Sequence, residues 1–157
     1  MYSTTLCFLI KNTPTPQLLL GKKKTGFGKG KYNGFGGKLE AGETPKQAAV
    51  REVWEECGII LQENTLQEAG YLEFIFPAAP ELDHDVFIYF ACEWQGQAVE
   101  TEEMAPQWFS LEQVPYNQMW KDDIYWLPKA LRGETFNGKL WFDDNNEDLL
   151  EVQISWK

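Results

Sequence analysis

Three glutamates, Glu52, Glu55 and Glu56, lie close together in the stretch TPKQAAVREVWEECG, which predicts a helix. Residues three and four positions apart share one face of a helix, so the three carboxylates should converge. Like charges at this spacing destabilise a helix by roughly 0.2–0.5 kcal/mol per pair, so the fold gains nothing from them. Hard cations such as Mg²⁺ bind carboxylate oxygens together with substrate phosphates. The cluster therefore predicts a metal site for phosphate chemistry; the alternative is a solvated acidic face on which Arg51 pairs with Glu55.

The helix that carries these glutamates has clear ends in the sequence. Thr44 is a suitable N-cap, Pro45 suits the first helical position, and Gln47 completes a capping box. Gly58 is a natural stop. An apolar stripe with helical spacing is expected to face the core while the glutamates face elsewhere, and it consists of Val50, Val53, Trp54 and Cys57.

A glycine-rich segment, GKKKTGFGKGKYNGFGGK at residues 21–38, precedes this helix. Its closely spaced glycines exclude a regular helix and predict a structured loop or broken strands. Because the segment leads into the helix, a backbone carbonyl near Gly36 could reach the same cation as the glutamates.

The rest of the chain predicts strands and one further helix without βαβ alternation, which favours an α+β fold in a single domain, 1–157. The predicted strands are 4–10, 18–20, 71–76, 86–94, 106–111, 138–142 and 149–156; the second helix is 122–133; turns are expected at 12–16 and 143–148.

The composition excludes several classes of function. A net charge of −10 argues against a basic surface for a nucleic-acid polymer. No segment approaches the roughly 20 apolar residues of a membrane span. Three widely spaced cysteines without a CxxC pair predict neither a disulfide framework nor a zinc site. We therefore expect a soluble, cytoplasmic protein, monomeric and free of membrane or nucleic-acid partners.

A longer pattern surrounds the acidic helix: Gly37, five residues, Glu43, seven residues, and then REVWEECGI at 51–59. It resembles the Nudix box, G-x5-E-x7-R-E-U-x-E-E-x-G-U with U apolar, at every specified position. The resemblance implies the Nudix fold, a mixed β-sheet sandwiched between α-helices. It also implies hydrolysis of a nucleoside diphosphate linked to another group, with Mg²⁺ or Mn²⁺.

The resemblance implies roles for particular residues. Arg51 and Glu43 would hold the loop and the helix in register. Glu56 would be the general base, and the implied catalytic residues are Glu56, Glu52 and Glu103. Glu103 lies outside the box, in VETEEMAP, where Glu100 and Glu102 are rivals. The implied metal ligands are the Gly36 carbonyl, Glu52, Glu55, Glu56 and Glu103.

Three further stretches, GKKKTGFGKGKYNGFGGK, EEMAPQWFSLEQVP and MWKDDIYWLP, are similar to the eukaryotic-type oxidised purine nucleoside triphosphate hydrolases within this family. Those enzymes cut 8-oxo-dGTP and 2-hydroxy-dATP to the monophosphate and pyrophosphate, which sanitises the nucleotide pool. The similarity implies a nucleoside triphosphate as substrate. The implied binding residues are Thr5, Lys23, Phe27, Asn33, Phe35, Gly36, Gly37, Lys38, Phe74, Met104, Trp120, Asp122 and Asp123, with Phe142 beside them.

Chemistry supports a base pocket made from part of this set. Trp120 and Phe27 offer aromatic faces for a purine, and Asn33 carries both a donor and an acceptor. Asp122 and Asp123 can share a proton, because adjacent buried carboxylates rarely both ionise. The alternative is that Asp122 merely caps the second helix while Trp120 packs in the core.

Other functions remain open at this stage. The substrate could be ADP-ribose, a dinucleoside polyphosphate or an unmodified nucleotide, or the chain could be a non-catalytic nucleotide-binding module. The single histidine, His84, makes a Ser-His-Asp hydrolase improbable and is interpreted as structural. Tyr32 stands where the relatives commonly have tryptophan.

Overall fold

A computed structural model describes residues 1–12 and 14–157; Thr13, in the turn predicted at 12–16, lies outside the described residues. Local pattern predicted the order of the elements, and their observed bounds differ by a few residues. The elements are β1 (Tyr2–Lys11), β2 (Gln17–Lys23), β3 (Tyr32–Asn33), α1 (Pro45–Cys57), β4 (Gln67–Ile75), β5 (His84–Ala91), β6 (Met104–Ser110), α2 (Asp123–Ala130), β7 (Phe136–Phe142) and β8 (Leu149–Trp156).

The strands form one mixed sheet. From the described residues its order is β3-β2-β1-β5-β4-β7-β8, and β6 pairs with β2. β1 pairs with β5 and β4 with β7 in parallel, while β1–β2, β2–β6, β4–β5 and β7–β8 are antiparallel. The predicted closing hairpin around the turn at 143–148 is thus confirmed.

The two helices cover opposite faces of this sheet. Alternate residues of β1 point to opposite faces, so Cys7 and Leu9 pack with the α1 side while Phe8 packs with the α2 side. α1 contributes Val53 to its core and α2 contributes Trp126 to the other; both side chains are fully buried. The fold is therefore the predicted mixed sheet between helices. No helix among the described residues is both long and apolar enough to cross a membrane.

The face that α1 presents to the sheet differs from the predicted stripe. Trp54 was expected in the core and is 59% exposed, whereas Ala49 and Val53 are completely buried. Small residues let the helix axis approach the sheet closely, so the contact is centred on Ala49, Val53 and Cys57 and not on the larger side chains. This orientation also turns Glu56 inward, against the expectation that all the glutamates face away.

The ends of α1 agree with the sequence. The Gln47 amide nitrogen donates to Thr44 Oγ1 over 3.2 Å, and the Thr44 amide nitrogen donates to Gln47 Oε1 over 3.0 Å. This capping box fixes the first turn. Gly58 ends the helix with φ 77°, in the left-handed region that favours glycine.

Residues 33–39 continue the sheet along the edge of β1 beyond its pairing with β2. The Thr5 amide donates to the Gly37 carbonyl over 3.0 Å, and Cys7 and Phe35 exchange two backbone hydrogen bonds of 2.7 and 2.9 Å. Between them Gly36 is so close that a Cβ would lie 1.8 Å from the Thr5 carbonyl oxygen. Only glycine permits this approach.

Gly36→Ala should lower the free energy of unfolding by about 3 kcal/mol, because the added methyl must push the segment off β1. Gly30→Ala is the control: Gly30 has φ +87° and open space around its Cβ position, so only backbone strain of about 1 to 2 kcal/mol is expected. Urea unfolding of both variants measures the difference. Equal losses would show that the close approach at Gly36 carries no special cost.

Candidate active site

The C-terminal half of α1 faces the glycine-rich segment. The Gly36 amide nitrogen donates to Glu56 Oε1 over 2.8 Å, and Glu56 is only 5% exposed. Burial raises the pKa of Glu56 to about 8; the Gly36 bond and Lys23 oppose this rise, while the negative charges of Glu52 and Glu103 add to it. A buried carboxylate in acidic surroundings favours either a proton or a cation.

Arg51 joins the box residues through its guanidinium group. Nε and Nη2 donate to the two oxygens of Glu43 over 2.6 and 2.9 Å, and Nη2 also donates to the Lys38 carbonyl over 3.1 Å. Nη1 donates to Glu52 over 2.8 Å and to Glu55 over 3.2 Å. The bidentate contact with Glu43 ties the loop to the helix, as the family resemblance implied. The Arg51–Glu55 pair, which belonged to the alternative of a solvated acidic face, is also present.

The donors around α1 suit a hard divalent cation. Carboxylate and carbonyl oxygens are the ligands that Mg²⁺ prefers, and a Cβ at Gly37 would lie 2.6 Å from Glu52 Oε1, so glycine gives this carboxylate room beside the loop. Within residues 1–12 and 14–157, however, no three His, Cys, Asp or Glu side chains already form a metal-binding group. A cation would therefore compete with Arg51 for Glu52 and Glu55.

The Thr101 hydroxyl links the loop that carries Glu103 to α1. Thr101 Oγ1 donates to the Glu56 carbonyl over 2.9 Å and accepts from the Glu103 and Met104 amides over 3.3 Å each. The Lys24 amide donates to the Glu103 carbonyl over 2.9 Å. Of the rivals considered in the sequence, Glu100 is paired with the Lys24 ammonium group.

Next to Glu56 lies a cavity of about 200 Å³. Its floor is the α2 side of β1, β4 and β5, where Thr4, Val86 and Phe74 line it. Most of the predicted binding residues meet here: Thr5, Lys23, Phe27, Asn33, Gly36, Gly37, Phe74, Met104, Trp120, Asp122, Asp123 and Phe142 all line the cavity.

Phe27 and Trp120 form the aromatic part of the wall. Their ring centroids are 4.9 Å apart with planes 38° apart, and Lys31 Nζ lies 5.1 Å from the Trp120 ring centroid. The two rings pack on each other, so a purine would stack on an outer face of the pair and not between them.

The two aspartates at the start of α2 are buried against the cavity. Asp122 and Asp123 are 1% and 2% exposed. Burial raises the pKa of both carboxyl groups, and the charge of Asp122 raises that of Asp123 further. Asp122 stands at the N-cap position, but its side chain makes no capping bond and instead accepts from Trp126 Nε1 over 2.8 Å. The alternative that the Asp122 side chain caps α2 is therefore wrong.

Three buried polar atoms in this wall have no hydrogen-bond partner among the described residues: Asp122 Oδ1, Asp123 Oδ2 and Thr5 Oγ1. An unpaired buried polar atom costs about 1–3 kcal/mol. Asn33 also lines this wall. Its Oδ1 accepts a hydrogen bond from the Gly34 amide over 2.9 Å, so the side-chain nitrogen Nδ2 is the group of Asn33 that can donate to a ligand. The wall is suited to a ligand with several donors and acceptors.

Some predicted residues lie outside the cavity. Phe35 is fully buried in the core on the α1 side, and the Lys38 ammonium lies over the Tyr2 ring, 4.4 Å from its centroid. Glu52, Glu55 and Glu103 belong to the acidic cluster and do not line the cavity.

Sequence reasoning missed Phe76 and His84, both of which line the cavity. Phe76 stacks on Phe142 with centroids 4.5 Å apart. The alternation of Phe74 and Phe76 in the predicted strand could have placed them on the same face.

The mixed sheet, the capped acidic helix and the adjacent polar cavity together define a nucleotide-hydrolase type of site. A family model described as NUDIX domain matches residues 2–130, and the chain belongs to this family.

Curated relatives match nearly the whole chain. The oxidized purine nucleoside triphosphate hydrolase of Mus musculus is 43% identical over 149 residues, 95% of this chain and 94% of the relative. The protein of the same name from Danio rerio is 42% identical over 146 residues, 93% and 92% of the two chains. A mutator MutT protein from Bacillus halodurans, 22% identical, has the same fold with a TM-score of 0.82 over 99% of this chain and 98% of its own.

Thr101→Val removes the hydroxyl that joins α1 to the Glu103 loop while keeping the side-chain shape. We expect kcat for nucleotide hydrolysis to fall about tenfold, with KM much less affected, because the loop that carries Glu103 loses its hydrogen bond to the Glu56 carbonyl. Thr101→Ser keeps the hydroxyl and should retain most of kcat. Steady-state kinetics over a range of Mg²⁺ concentrations test this. A lower melting temperature with unchanged kcat in Thr101→Val would leave Thr101 a purely structural residue.

Proposed function

We propose that this protein hydrolyses oxidised purine nucleoside triphosphates, such as 8-oxo-dGTP and 2-hydroxy-dATP, to the monophosphate and pyrophosphate. The observation that carries the proposal is the polar wall of the cavity. Asp122 and Asp123 are adjacent buried carboxyl groups that can share a proton, and each has an oxygen that accepts no hydrogen bond from another described group. The names of two curated relatives that match more than 90% of the chain, those from Mus musculus and Danio rerio, support the same substrate class.

The aspartate pair suits an oxidised base because it can hold one proton between two carboxyls. A protonated carboxyl donates a hydrogen bond and its ionised neighbour accepts one. When the proton moves from one carboxyl to the other, the donor and the acceptor of the pair change places. One cavity can then bind purines whose edges carry different arrangements of donors and acceptors. Trp120 offers the stacking surface, worth about 1–3 kcal/mol per base in single-strand binders.

The acidic cluster of α1 serves the triphosphate. Glu52, Glu55, Glu56, Glu103 and the Gly36 carbonyl are the proposed ligands of Mg²⁺ or Mn²⁺. When bound, the cation neutralises the polyphosphate charge and polarises phosphorus. Glu56, buried and held by the Gly36 amide, is proposed to accept the proton of the attacking water. Lys23, which lines the same cavity, can bind a phosphate oxygen.

The alternatives make different demands. The MWKDDIYWLP stretch and Asn33, which resemble the oxidised purine hydrolases, argue against ADP-ribose, dinucleoside polyphosphates and unmodified nucleotides. A non-catalytic module has no need of the full set of box glutamates. The net charge of −10 supports action on free nucleotides and not on polymers. A cytoplasmic location is proposed from the three widely spaced cysteines without a CxxC pair, and a monomeric state is proposed beside it.

Hydrolysis of 8-oxo-dGTP, 2-hydroxy-dATP, dGTP, dATP and ADP-ribose with Mg²⁺, assayed side by side, tests the proposal. We expect kcat/KM to favour the oxidised purines by at least about tenfold, with monophosphate and pyrophosphate as products. Glu56→Gln should lower kcat by about a hundredfold or more. Equal rates on dGTP, or cleavage of ADP-ribose alone, would contradict the substrate class, and full activity in Glu56→Gln would contradict the assignment of the base.

The aspartate pair also predicts how stability depends on pH. An aspartate in the unfolded chain titrates near about pH 4, whereas burial raises the pKa of both folded carboxyls. Between these values the folded state binds more protons than the unfolded state, so the free energy of unfolding falls as pH rises. Each extra proton contributes a loss of about 1.4 kcal/mol per pH unit.

Asp123→Asn resembles the protonated pair and should lose less stability than the wild type between pH 5 and pH 8. Glu56 is present in both proteins, so the difference between their slopes reports on Asp123. Asp144→Asn, in the exposed turn at 143–148, is the matched control and should follow the wild type. Urea unfolding across this range measures the slopes. Parallel slopes for wild type and Asp123→Asn would mean that Asp123 holds no extra proton.

A further inference from the structure

His84 is the first residue of β5 and lies in a row of paired residues across the sheet. Its neighbours in register are Tyr2 on β1 and Phe74 on β4. The imidazole is stacked on Tyr2, with ring centroids 5.2 Å apart and planes 14° apart, and on Phe76, with centroids 6.0 Å apart and planes 19° apart. All four residues line the cavity. The ring is thus held in one orientation by aromatic packing within the wall.

The hydrogen bond of Nδ1 fixes the tautomer of this ring. Nδ1 lies 2.7 Å from the Leu82 carbonyl oxygen, and a carbonyl oxygen can only accept, so Nδ1 carries a proton. Burial lowers the pKa of His84 and Lys38 adds to this, while the Leu82 bond, Asp85 and Asp83 oppose it. The neutral ring then has its lone pair on Nε2. The far side of the imidazole from Leu82 is therefore a hydrogen-bond acceptor.

We propose that His84 is a specificity-determining residue of the cavity, with Nε2 accepting a hydrogen bond from an N–H group of the bound oxidised purine. This inference rests on the function proposed above and extends it to a residue outside the aspartate pair. Unmodified guanine has a lone pair at N7, whereas guanine oxidised at C8 carries a hydrogen there. An acceptor that faces such a position attracts the oxidised base and repels the unmodified one.

The aromatic stack makes this discrimination effective. Tyr2 and Phe76 stack on the imidazole, and the Leu82 carbonyl accepts from Nδ1. Rotating the ring so that an N–H took the place of the Nε2 lone pair would break these contacts. A rigid acceptor leaves the lone pair of an unmodified base facing another lone pair, and specificity of this kind depends on the unfavourable contact as much as on the favourable one.

Two substitutions of His84 distinguish a role in base recognition from a role in stabilising the fold. The amide of asparagine reaches the place of Nδ1, so His84→Asn can keep the bond to Leu82 but has no acceptor at the position of Nε2. The amide of glutamine reaches the place of Nε2, so His84→Gln keeps that acceptor and gives up the bond to Leu82. The quantity measured is the ratio of kcat/KM for 8-oxo-dGTP to kcat/KM for dGTP.

We expect this ratio to fall about tenfold in His84→Asn and to stay within about threefold of the wild type in His84→Gln. Melting curves report folding, and if His84→Asn does not fold, His84→Phe gives the same comparison with the aromatic stack intact. Equal losses on both substrates, or an unchanged ratio in the variant without the acceptor, would overturn the role of His84. A wild-type ratio near one would instead contradict the proposed function itself, so the two failures are distinguishable.

Discussion

The backbone pairing of residues 33–39 with β1 is the constraint on which the whole site depends. The exchange of hydrogen bonds between Cys7 and Phe35 and the bond from Thr5 to Gly37 hold this segment in the plane of the sheet. Gly36 is then fixed between β1 and α1, where its amide holds the Glu56 carboxylate. The same short segment also forms part of the cavity wall. Residues 33–39 thus contact both the acidic cluster and the cavity. The position of this segment therefore sets the distance between the two.

Electrostatics in the acidic cluster run against stability. Burial raises the pKa of Glu56 and Glu52, and each of the two also feels the charge of Glu103. Arg51 offsets part of this cost through its bonds to Glu43, Glu52 and Glu55. The packing of α1 on the sheet is what permits the arrangement, because burial of an apolar core side chain stabilises by about 1.5–3 kcal/mol. A cluster of carboxylates that lowers stability in this way is typical of a functional site.

The sequence was most informative where the physical cause is local. The ends of α1 follow from capping chemistry at Thr44 and Gly58, and the closing hairpin follows from alternation around a polar turn, so both were predictable. The fixed spacing of the box likewise located the acidic cluster.

Features decided by tertiary packing were not predictable in this way. The exposure of Trp54 and the burial of Glu56 depend on how closely a helix bearing Ala49 can approach the sheet. Phe35 points into the core because its segment joins the edge of β1, which no periodicity indicates. His84 enters the cavity because β5 pairs with β1 and β4 at that register, a long-range relation that sequence spacing does not contain.

Apart from the glycine-rich segment, which serves both, the acidic cluster and the base-reading part of the cavity are carried by different elements of the fold. The carboxylates come from α1 and the loop before β6, whereas the groups that could read a base come from the start of α2, from β5 and from the glycine-rich segment. A substitution at Trp120 or in the aspartate pair can therefore change which base fits without moving Glu56, since no element is shared between them. Base recognition can in this way vary while phosphate chemistry stays constant, and activity on one nucleotide says little about selectivity among nucleotides. For this chain, the buried pair of Asp122 and Asp123 bears on the base of the substrate, whereas the box bears on its phosphates.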